Sequence, residues 1–182
     1  MNTKTKKLST VSMVLCGMFA ALVAIGAFIQ IPVPYMDYFT LQFFFVLLAG
    51  LILGADKGAI SVGCYVLLGL VGVPIFAAGG GIGYIFRPSF GYLVGFIVSA
   101  YVTGKVCEKL KASYKNYLLA CLAGFVVTYA IGIVYKFIIL NFYAHTPATL
   151  GVIFLSCFPL DMPGDFVLCL LAAGVGLRMR KS

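Results

Sequence analysis

Arg87 is the residue in this sequence whose position most needs a chemical reason. It stands within GGGIGYIFRPSFGYL (residues 79–93), between a glycine run and a proline, with apolar sequence on both sides. A charge placed near the middle of a membrane costs about 2.5–3.5 kcal/mol on insertion scales, so such a residue usually faces a cavity or a partner. A guanidinium can hold a carboxylate through two parallel N–H bonds. We therefore predict an anion-binding residue, the alternatives being contact with lipid phosphates or pairing with an aspartate.

Two more charged residues are candidates for the same site. Asp165 lies in FPLDMPGDFVLCLL (residues 158–171), in or near the first turn of a predicted last helix. It could compensate the helix dipole, or it could accept hydrogen bonds from the N–H groups of a ligand. Lys136 lies in a long apolar stretch. It could reach the outer membrane surface with its amine, or it could line a pocket.

The glycine-rich segment before Arg87 is predicted to be an outer loop. Its sequence IFAAGGGIGYIF contains Gly79, Gly80 and Gly81 and is too rich in glycine for a stable helix. Non-helical backbone is tolerated near a membrane where protein buries it or where it lines a wet cavity. Pro88 suits the first position of the next helix. Arg87 would then lie beside free backbone N–H groups, with aromatic residues such as Tyr84 walling an apolar ligand.

The composition predicts a membrane protein that folds as a single helical domain over residues 1–182. Charged residues make up 10% of the chain and hydrophobic residues 63%, whereas soluble domains carry about a quarter charged residues. Because a spanning helix needs about 20 apolar residues, the sequence divides into six predicted transmembrane helices. Their approximate ranges are 8–31, 39–55, 59–73, 89–107, 117–143 and 163–177.

The basic residues predict the orientation of these helices. With both termini in the cytoplasm, eleven of the 13 basic residues lie on the inner side, as the positive-inside rule requires: Lys4, Lys6, Lys7, Lys57, Lys105, Lys109, Lys111, Lys115, Arg178, Arg180 and Lys181. The outer side then holds Arg87 and Lys136 together with Asp37, Asp161 and Asp165. This distribution argues against a nucleic-acid partner, since the basic residues form no stripe.

Motifs for catalysis and for metal or ATP binding are missing from the sequence. Six cysteines are scattered singly, without CxxC spacing, and indicate buried thiols. His145 is the single histidine, and neither a GxSxG element nor a GxxxxGK[ST] loop occurs. We expect no metal and no cofactor. The competing interpretation is a lipid-modifying membrane enzyme built on Asp161, Asp165 and His145.

The first predicted helix carries a face of small residues. Gly17, Ala20, Ala21, Ala24 and Ala27 recur at helical spacing, so another helix could approach closely. Spacing alone leaves two uses open. The face could pack inside this chain, or it could dock a partner.

Three stretches of this sequence form a distinctive set, namely TLQFFFVLLAGLILGADKGAISVGCYVLLGLVGVPIFAAGGG, then RPSFGYLVGF and PGDF. With them the sequence resembles the BioY family, the biotin-binding substrate subunits (S components) of energy-coupling factor (ECF) transporters. It implies a six-helix S-component fold in the bacterial plasma membrane, with an outward pocket that binds biotin without a chemical step. It also implies a complex with a transmembrane coupling subunit and two ATPases, within membrane lipid.

The resemblance also implies roles for individual residues. Ala20 and Ala24 match the family's AxxxA motif that contacts the coupling subunit. Arg87 would bind the biotin carboxylate and Asp165 the ureido ring, with Gly79–Gly83 close by. The family commonly has a lysine three residues after the PGD aspartate, where this chain has Leu168. We hypothesise that Lys136 supplies the missing charge to the ligand carboxylate or to Asp165.

Overall fold

The computed structural model describes residues 9–32, 38–146, 148–157 and 161–181, and over these the chain is almost entirely helical. The elements are α1 (Thr10–Phe28), β1 (Gln30–Pro32), β2 (Tyr38–Thr40), α2 (Gln42–Leu53), α3 (Ala55–Val71), a 3-10 helix (Ile82–Phe86), α4 (Phe90–Lys109), α5 (Tyr114–Ile138), a π-helix (Ile139–Tyr143), α6 (Leu150–Cys157) and α7 (Asp161–Lys181). The prediction for Asp37 lies outside the described residues.

Four of the described helices are long and apolar enough to cross a membrane. They are Thr10–Phe28, Phe90–Lys109, Tyr114–Tyr143, which includes the π-helix, and Asp161–Met179. Helices α2 and α3 coincide with the second and third predicted spans, but at 12 and 17 residues they are shorter than the usual span of about 20. The all-helical prediction is confirmed. Helix α6 and the short antiparallel hairpin of β1 and β2 were not predicted.

Two glycines with positive φ end helices and turn the chain. Gly54 has φ 83° and joins α2 directly to α3, while Gly72 has φ 118° and ends α3 in the left-handed conformation. Both values lie in the region that residues with a Cβ rarely adopt. Helix α4 stabilises the α2–α3 turn, because Oε1 of its residue Glu108 accepts a hydrogen bond of 2.9 Å from the backbone N–H of Ala55.

Small residues let α4 and α5 pack closely against each other. A Cβ built on Gly95 would lie 3.0 Å from the carbonyl oxygen of Thr128. A Cβ built on Gly124 would meet the hydroxyls of Ser99 and Thr103. Helices at such small separations gain most of their stability from packing. This contact fixes α4 and α5 relative to each other, and both helices contribute residues to the candidate site described below.

The two ends of the helical bundle differ in character. Helices α2, α4 and α7 begin at one end, which we call the cleft end. At the opposite end, which we call the basic end, lie Lys57, Lys105, Lys109, Lys111, Lys115 and Arg178. The charged groups at the basic end are accessible, as in the ion pair of Lys105 and Glu108, whose side chains are 50% and 44% exposed.

The small-residue face of α1 is divided between the core and the surface. Ala20 and Ala27 are buried within this chain, Ala24 is half-buried, and Gly17 and Ala21 are exposed. Internal packing therefore accounts for part of the predicted face. The exposed part leaves room for an approaching helix, since a Cβ added at Gly17 would meet nothing within 4 Å.

The predicted position of Pro88 as the first residue of the fourth helix is wrong. Helix α4 begins at Phe90 and has Ser89 as its N-cap. The backbone N–H of Phe90 bonds to the carbonyl of Arg87, and that of Tyr92 bonds to the carbonyl of Ser89. These three-residue spacings belong to a tight turn, so the proline lies before the helix and not in it.

Candidate functional site

A cleft at the cleft end of the bundle gathers polar side chains from most of the elements that meet there. The empty space between its walls amounts to about 790 Å³, a volume that includes the part open to solvent. The lining residues are Phe39, Thr40, Gln42, Phe43, Ala77, Ala78, Tyr84, Ser89, Tyr92, Leu93, Phe96, Tyr129, Lys136, Asp161 and Asp165. Six of these residues are aromatic, and six others carry polar or charged side chains.

Asp165 is the most deeply buried charged residue of the cleft. It lies in the second turn of α7 and is 9% exposed. The hydroxyl of Tyr129, on α5, donates a hydrogen bond of 2.7 Å to its Oδ2 atom. A carboxylate has about four lone-pair sites on two oxygens. Asp165 therefore keeps Oδ1 available to accept from a ligand, while Tyr129 holds the carboxylate in one orientation.

Glycines shape the wall of the cleft around two aromatic rings. A Cβ at Gly164, directly before Asp165, would lie 2.5 Å from the ring of Phe39. A Cβ at Gly132 would similarly overlap the ring of Tyr92. Both rings line the cleft. The glycine of the PGD motif therefore makes room for an aromatic wall residue next to the carboxylate.

Lys136 brings a cation to the same cleft. It lies in the last turn of α5, is half-buried and lines the cleft. Its Nζ atom is 3.5 Å from the hydroxyl oxygen of Ser156, on α6. Leu168, at the position where the family commonly has lysine, is 7% exposed and packs in the core. The amine of Lys136 and the carboxylate of Asp165 thus face one cavity from neighbouring helices.

Arg87 lies near the cleft but is not one of its lining residues. Its side chain is exposed, and its guanidinium carbon lies 5.3 Å from the centre of the Tyr84 ring. Tyr84 is buried and lines the cleft, so Arg87 lies close to the wall without forming it. The role of Arg87 in ligand binding stays a prediction.

The glycine run forms a tight loop beside the cleft. Gly79 pairs with Phe76 through two backbone hydrogen bonds, and the N–H of Gly81 bonds to the carbonyl of Gly69 at 2.7 Å. Gly79, Gly80 and Gly81 do not line the cleft, whereas Ala77 and Ala78 of the same loop do. The loop is non-helical, as predicted, apart from the 3-10 turn that follows it.

Sequence reasoning missed several polar residues of the cleft, and two of these are Thr40 and Gln42. They stand where the hairpin meets α2 and line the cleft together. The signal was present in the sequence, because Gln42 is an isolated amide at the head of FFFVLLAGLIL. Such a residue is costly to bury unless its amide is hydrogen-bonded. The competing enzyme interpretation has no support in this geometry, since His145 is exposed and does not line the cleft.

Comparison with known proteins gives a consistent result over the whole length of the chain. Residues 1–182 match the BioY family. A probable biotin transporter BioY of Lysinibacillus sphaericus is 40% identical over 177 residues, which cover 97% of this chain and 90% of that protein. The biotin transporter BioY of Thermotoga maritima is 39% identical over 169 residues, covering 91% and 93%.

A solved structure agrees with these relatives. The crystal structure of an S-component for biotin from an ECF-type ABC transporter superimposes on this chain with a TM-score of 0.83. The match covers 100% of this chain and 95% of that one, at 25% sequence identity. The helical arrangement described above is therefore that of a membrane-embedded S-component.

Proposed function

The chain belongs to the BioY family, and we propose that it is the biotin-binding subunit of an ECF-type uptake transporter. It is a multi-pass membrane protein whose relatives are biotin transporters, and it is not an enzyme. In this role it captures biotin from outside the cell and delivers it inward when coupled to its partners. The observation that carries the proposal is the cleft, which presents a buried carboxylate, an amide and an amine among aromatic rings.

The groups of the cleft complement the three parts of biotin. Asp165 accepts from the N–H groups of the ureido ring, and Tyr92, Phe96 and Tyr129 enclose the apolar bicycle. A cation is left for the carboxylate of the valeryl tail. A nanomolar Kd corresponds to about 12 kcal/mol, which no single contact supplies. Tight capture requires that the cleft exclude water around the bound ligand.

Two cations are candidates for the carboxylate of biotin. Lys136 is supported by its place in the cleft wall. Arg87 is supported by its stacking on Tyr84, which brings a guanidinium to the rim. The loop with Gly79, Gly80 and Gly81 borders this rim and would close over the bound ligand. Lys136 or Arg87 would supply the positive charge that the family commonly carries as a lysine at the position of Leu168.

The contrast between the two ends supports one orientation of the chain in the membrane. Six spans, with both termini cytoplasmic, place the basic end inside the cell, as the positive-inside rule favours. The cleft then opens to the outside, from which the chain captures biotin. The whole chain acts as a single transmembrane domain, and biotin is its transported ligand, not a cofactor.

The partners in this proposal are a transmembrane coupling subunit and two ATPase subunits. The ECF-type transporter from which the similar S-component comes supports this assembly. On α1, Ala20 and Ala24 would mark the docking helix, with exposed Gly17 and Ala21 providing the close approach. Energy for uptake would come from ATP hydrolysis in the partners.

Equilibrium binding to the purified full chain tests the proposal. Isothermal titration with biotin is expected to show saturable one-site binding at a nanomolar Kd, with no product formed. Absence of saturation, or stronger binding of another anionic vitamin, would contradict the assignment. The same titration on Arg87→Ala decides its role, because unchanged affinity would remove Arg87 from the site.

A further inference from the structure

A chain of hydrogen bonds connects the cleft to the glycine-rich loop through Tyr65. The hydroxyl of Thr40 lies 3.1 Å from Oε1 of Gln42, and Nε2 of Gln42 bonds to the hydroxyl of Tyr65. The Tyr65 hydroxyl in turn lies 3.1 Å from the carbonyl oxygen of Ile75, in the loop after α3. Thr40 and Gln42 line the cleft, whereas Tyr65 is fully buried behind it.

The single proton of Tyr65 sets the direction of every bond in this chain. A backbone carbonyl can only accept, so the Tyr65 hydroxyl must donate to Ile75. The Tyr65 oxygen is then an acceptor, and the group that donates to it is the amide nitrogen of Gln42. The amide oxygen consequently faces Thr40, whose hydroxyl donates to it. Because the loop carbonyl cannot reverse its role, the amide of Gln42 has one permitted orientation.

The orientation of Gln42 leaves one polar hydrogen for a ligand. Its amide group has two N–H bonds, of which Tyr65 accepts one. The second has no partner among the residues that the structure describes, and Gln42 is 4% exposed. A buried N–H without an acceptor is destabilising. A ligand in the cleft that carries a carbonyl oxygen would provide the missing acceptor.

Packing keeps Tyr65 itself in place. Its ring meets the ring of Phe76 edge to face at a centroid distance of 5.5 Å, and Phe76 packs on Tyr84 at 4.6 Å. Phe76 fits against Gly69, where a Cβ would overlap its ring. The loop carbonyl of Ile75 and the phenol of Tyr65 therefore belong to one packed unit.

We propose that Gln42 donates its second N–H to the ureido carbonyl oxygen of the ligand and that Tyr65 is the positioning residue that orients it. The inference rests on the proposed function and deepens it. A donor at Gln42 and an acceptor at Asp165 together select a ureido group, which has a carbonyl oxygen between N–H groups. A cyclic guanidinium, which offers N–H donors alone, would leave the Gln42 N–H facing another donor.

The test compares biotin with 2-iminobiotin at pH 7, where the latter carries a protonated guanidinium in place of the ureido carbonyl. Wild type is expected to prefer biotin. Gln42→Glu introduces an acceptor where the amide donated, so the ratio of the two affinities should shift at least tenfold towards 2-iminobiotin. A tenfold shift corresponds to about 1.4 kcal/mol.

Tyr65→Phe tests the positioning role separately, since it retains the packed ring and removes the hydroxyl. We expect the preference for biotin to fall about three- to tenfold, because the amide can then rotate. Thr40→Val provides a milder second variant at the other end of the chain of bonds. A merely structural role would lower both affinities together and leave their ratio unchanged.

The outcomes separate this inference from the function on which it rests. If wild type fails to bind biotin, the proposed function is wrong. If wild type binds biotin but Gln42→Glu, Tyr65→Phe and Thr40→Val all keep the wild-type ratio, the proposed function stands and the donor role of Gln42 is overturned. Thermal unfolding in the same detergent identifies any variant that does not fold, and the remaining variants then decide the question.

Discussion

The cleft end and the basic end of the bundle use acidic residues in opposite ways. At the basic end, Glu108 is 44% exposed, pairs with Lys105 at 3.9 Å and caps the first turn of α3 through Ala55. At the cleft end, Asp165 is 9% exposed and is held by a tyrosine hydroxyl. One carboxylate joins elements of the fold, and the other faces an enclosed space.

The two carboxylates differ in how much hydration they lose when the chain folds. An exposed ion pair such as that of Lys105 and Glu108 contributes about 0–1 kcal/mol and requires little desolvation. A carboxylate buried like Asp165 loses much of its hydration, which is favourable only where hydrogen bonds compensate. Tyr129 provides one such bond, and a ligand with N–H groups would provide others. We therefore expect the buried carboxylate to act in binding and the exposed one to stabilise the fold.

Removing the carboxylate of Asp165 or of Glu108 should give the largest difference in biotin affinity between the two ends. Asp165→Ala removes the acceptor that we propose for the ureido N–H groups. Hydrogen bonds to charged groups are worth about 1.5–3 kcal/mol, so biotin affinity should fall roughly 10- to 150-fold, measured by isothermal titration. Glu108→Ala should leave the affinity unchanged and lower the free energy of unfolding by about 0.5–2 kcal/mol, as for loss of a helix cap.

A large loss of biotin affinity in Glu108→Ala would break the comparison, because it would show that the basic end shapes the binding site. Wild-type affinity in Asp165→Ala would remove the ureido acceptor from the proposal. Circular dichroism during heating, in the same detergent, measures the stability of both variants. It shows whether any change in binding comes from unfolded protein.

Replacing one lysine at each end should give a smaller difference in biotin affinity. Lys136→Met keeps an apolar stem of similar length and removes the charge that faces the cleft. We expect biotin affinity to fall about 5- to 30-fold, corresponding to about 1–2 kcal/mol for one partly exposed charged contact. Lys105→Met at the basic end is the matched control and should bind as wild type.

The amide of biotin, which lacks the carboxylate, shows whether Lys136 acts on the tail. Wild type should bind biotinamide more weakly than biotin, and Lys136→Met should bind the two with similar affinity. If Lys136→Met lowers the affinity for both ligands by the same factor, the lysine does not contact the carboxylate. The charge would then act on Asp165 or on the stability of the cleft.

A pair of glycines in α7 should give the smallest effect. Gly164→Ala places a methyl group 2.5 Å from the ring of Phe39 and displaces that wall of the cleft. Overpacking costs about 1–3 kcal/mol, and we expect about a fivefold weaker affinity for biotin. Gly174→Ala is the control, since its Cβ would lie 3.9 Å from the ring of Tyr114, an ordinary contact.

Binding and thermal unfolding of the two α7 variants are measured side by side. Gly174→Ala should bind as wild type and be equally or more stable, because alanine favours a helix by about 1 kcal/mol over glycine. Equal affinities in the two variants would show that the Phe39 wall does not contact the ligand.

Much of the fold could be predicted from the sequence, because the signals for membrane-spanning helices lie within each segment. Apolar stretches of helical length and the glycines and charges between them identify the segments that cross the membrane. The predicted spans coincide with α1 to α5 and α7. The misses are short elements, namely the β-hairpin, α6 and the turn at Pro88. In these places a few residues adopt a structure that contacts from elsewhere in the chain stabilise.

The candidate site was predictable only in part. Asp165 and Lys136 could be found because a charged residue in an apolar stretch is costly and usually faces a cavity or a partner. Gln42 was overlooked because an uncharged amide is a weaker signal, and its role depends on Tyr65 and Ile75, which are 23 and 33 residues away in the chain. Arg87 lies outside the cleft lining and begins the turn at residues 87–90, neither of which the sequence indicated.

The amino-acid sequence by itself determined that the chain is a helical membrane protein of one family, with its basic residues gathered at one end and few charges elsewhere. These properties depend on the residue types in each segment, which sum along the chain. The tertiary structure alone decided which cation lines the cleft, which way the Gln42 amide points and which glycines admit aromatic rings. Each depends on the distance between residues far apart in sequence, and helix packing sets that distance.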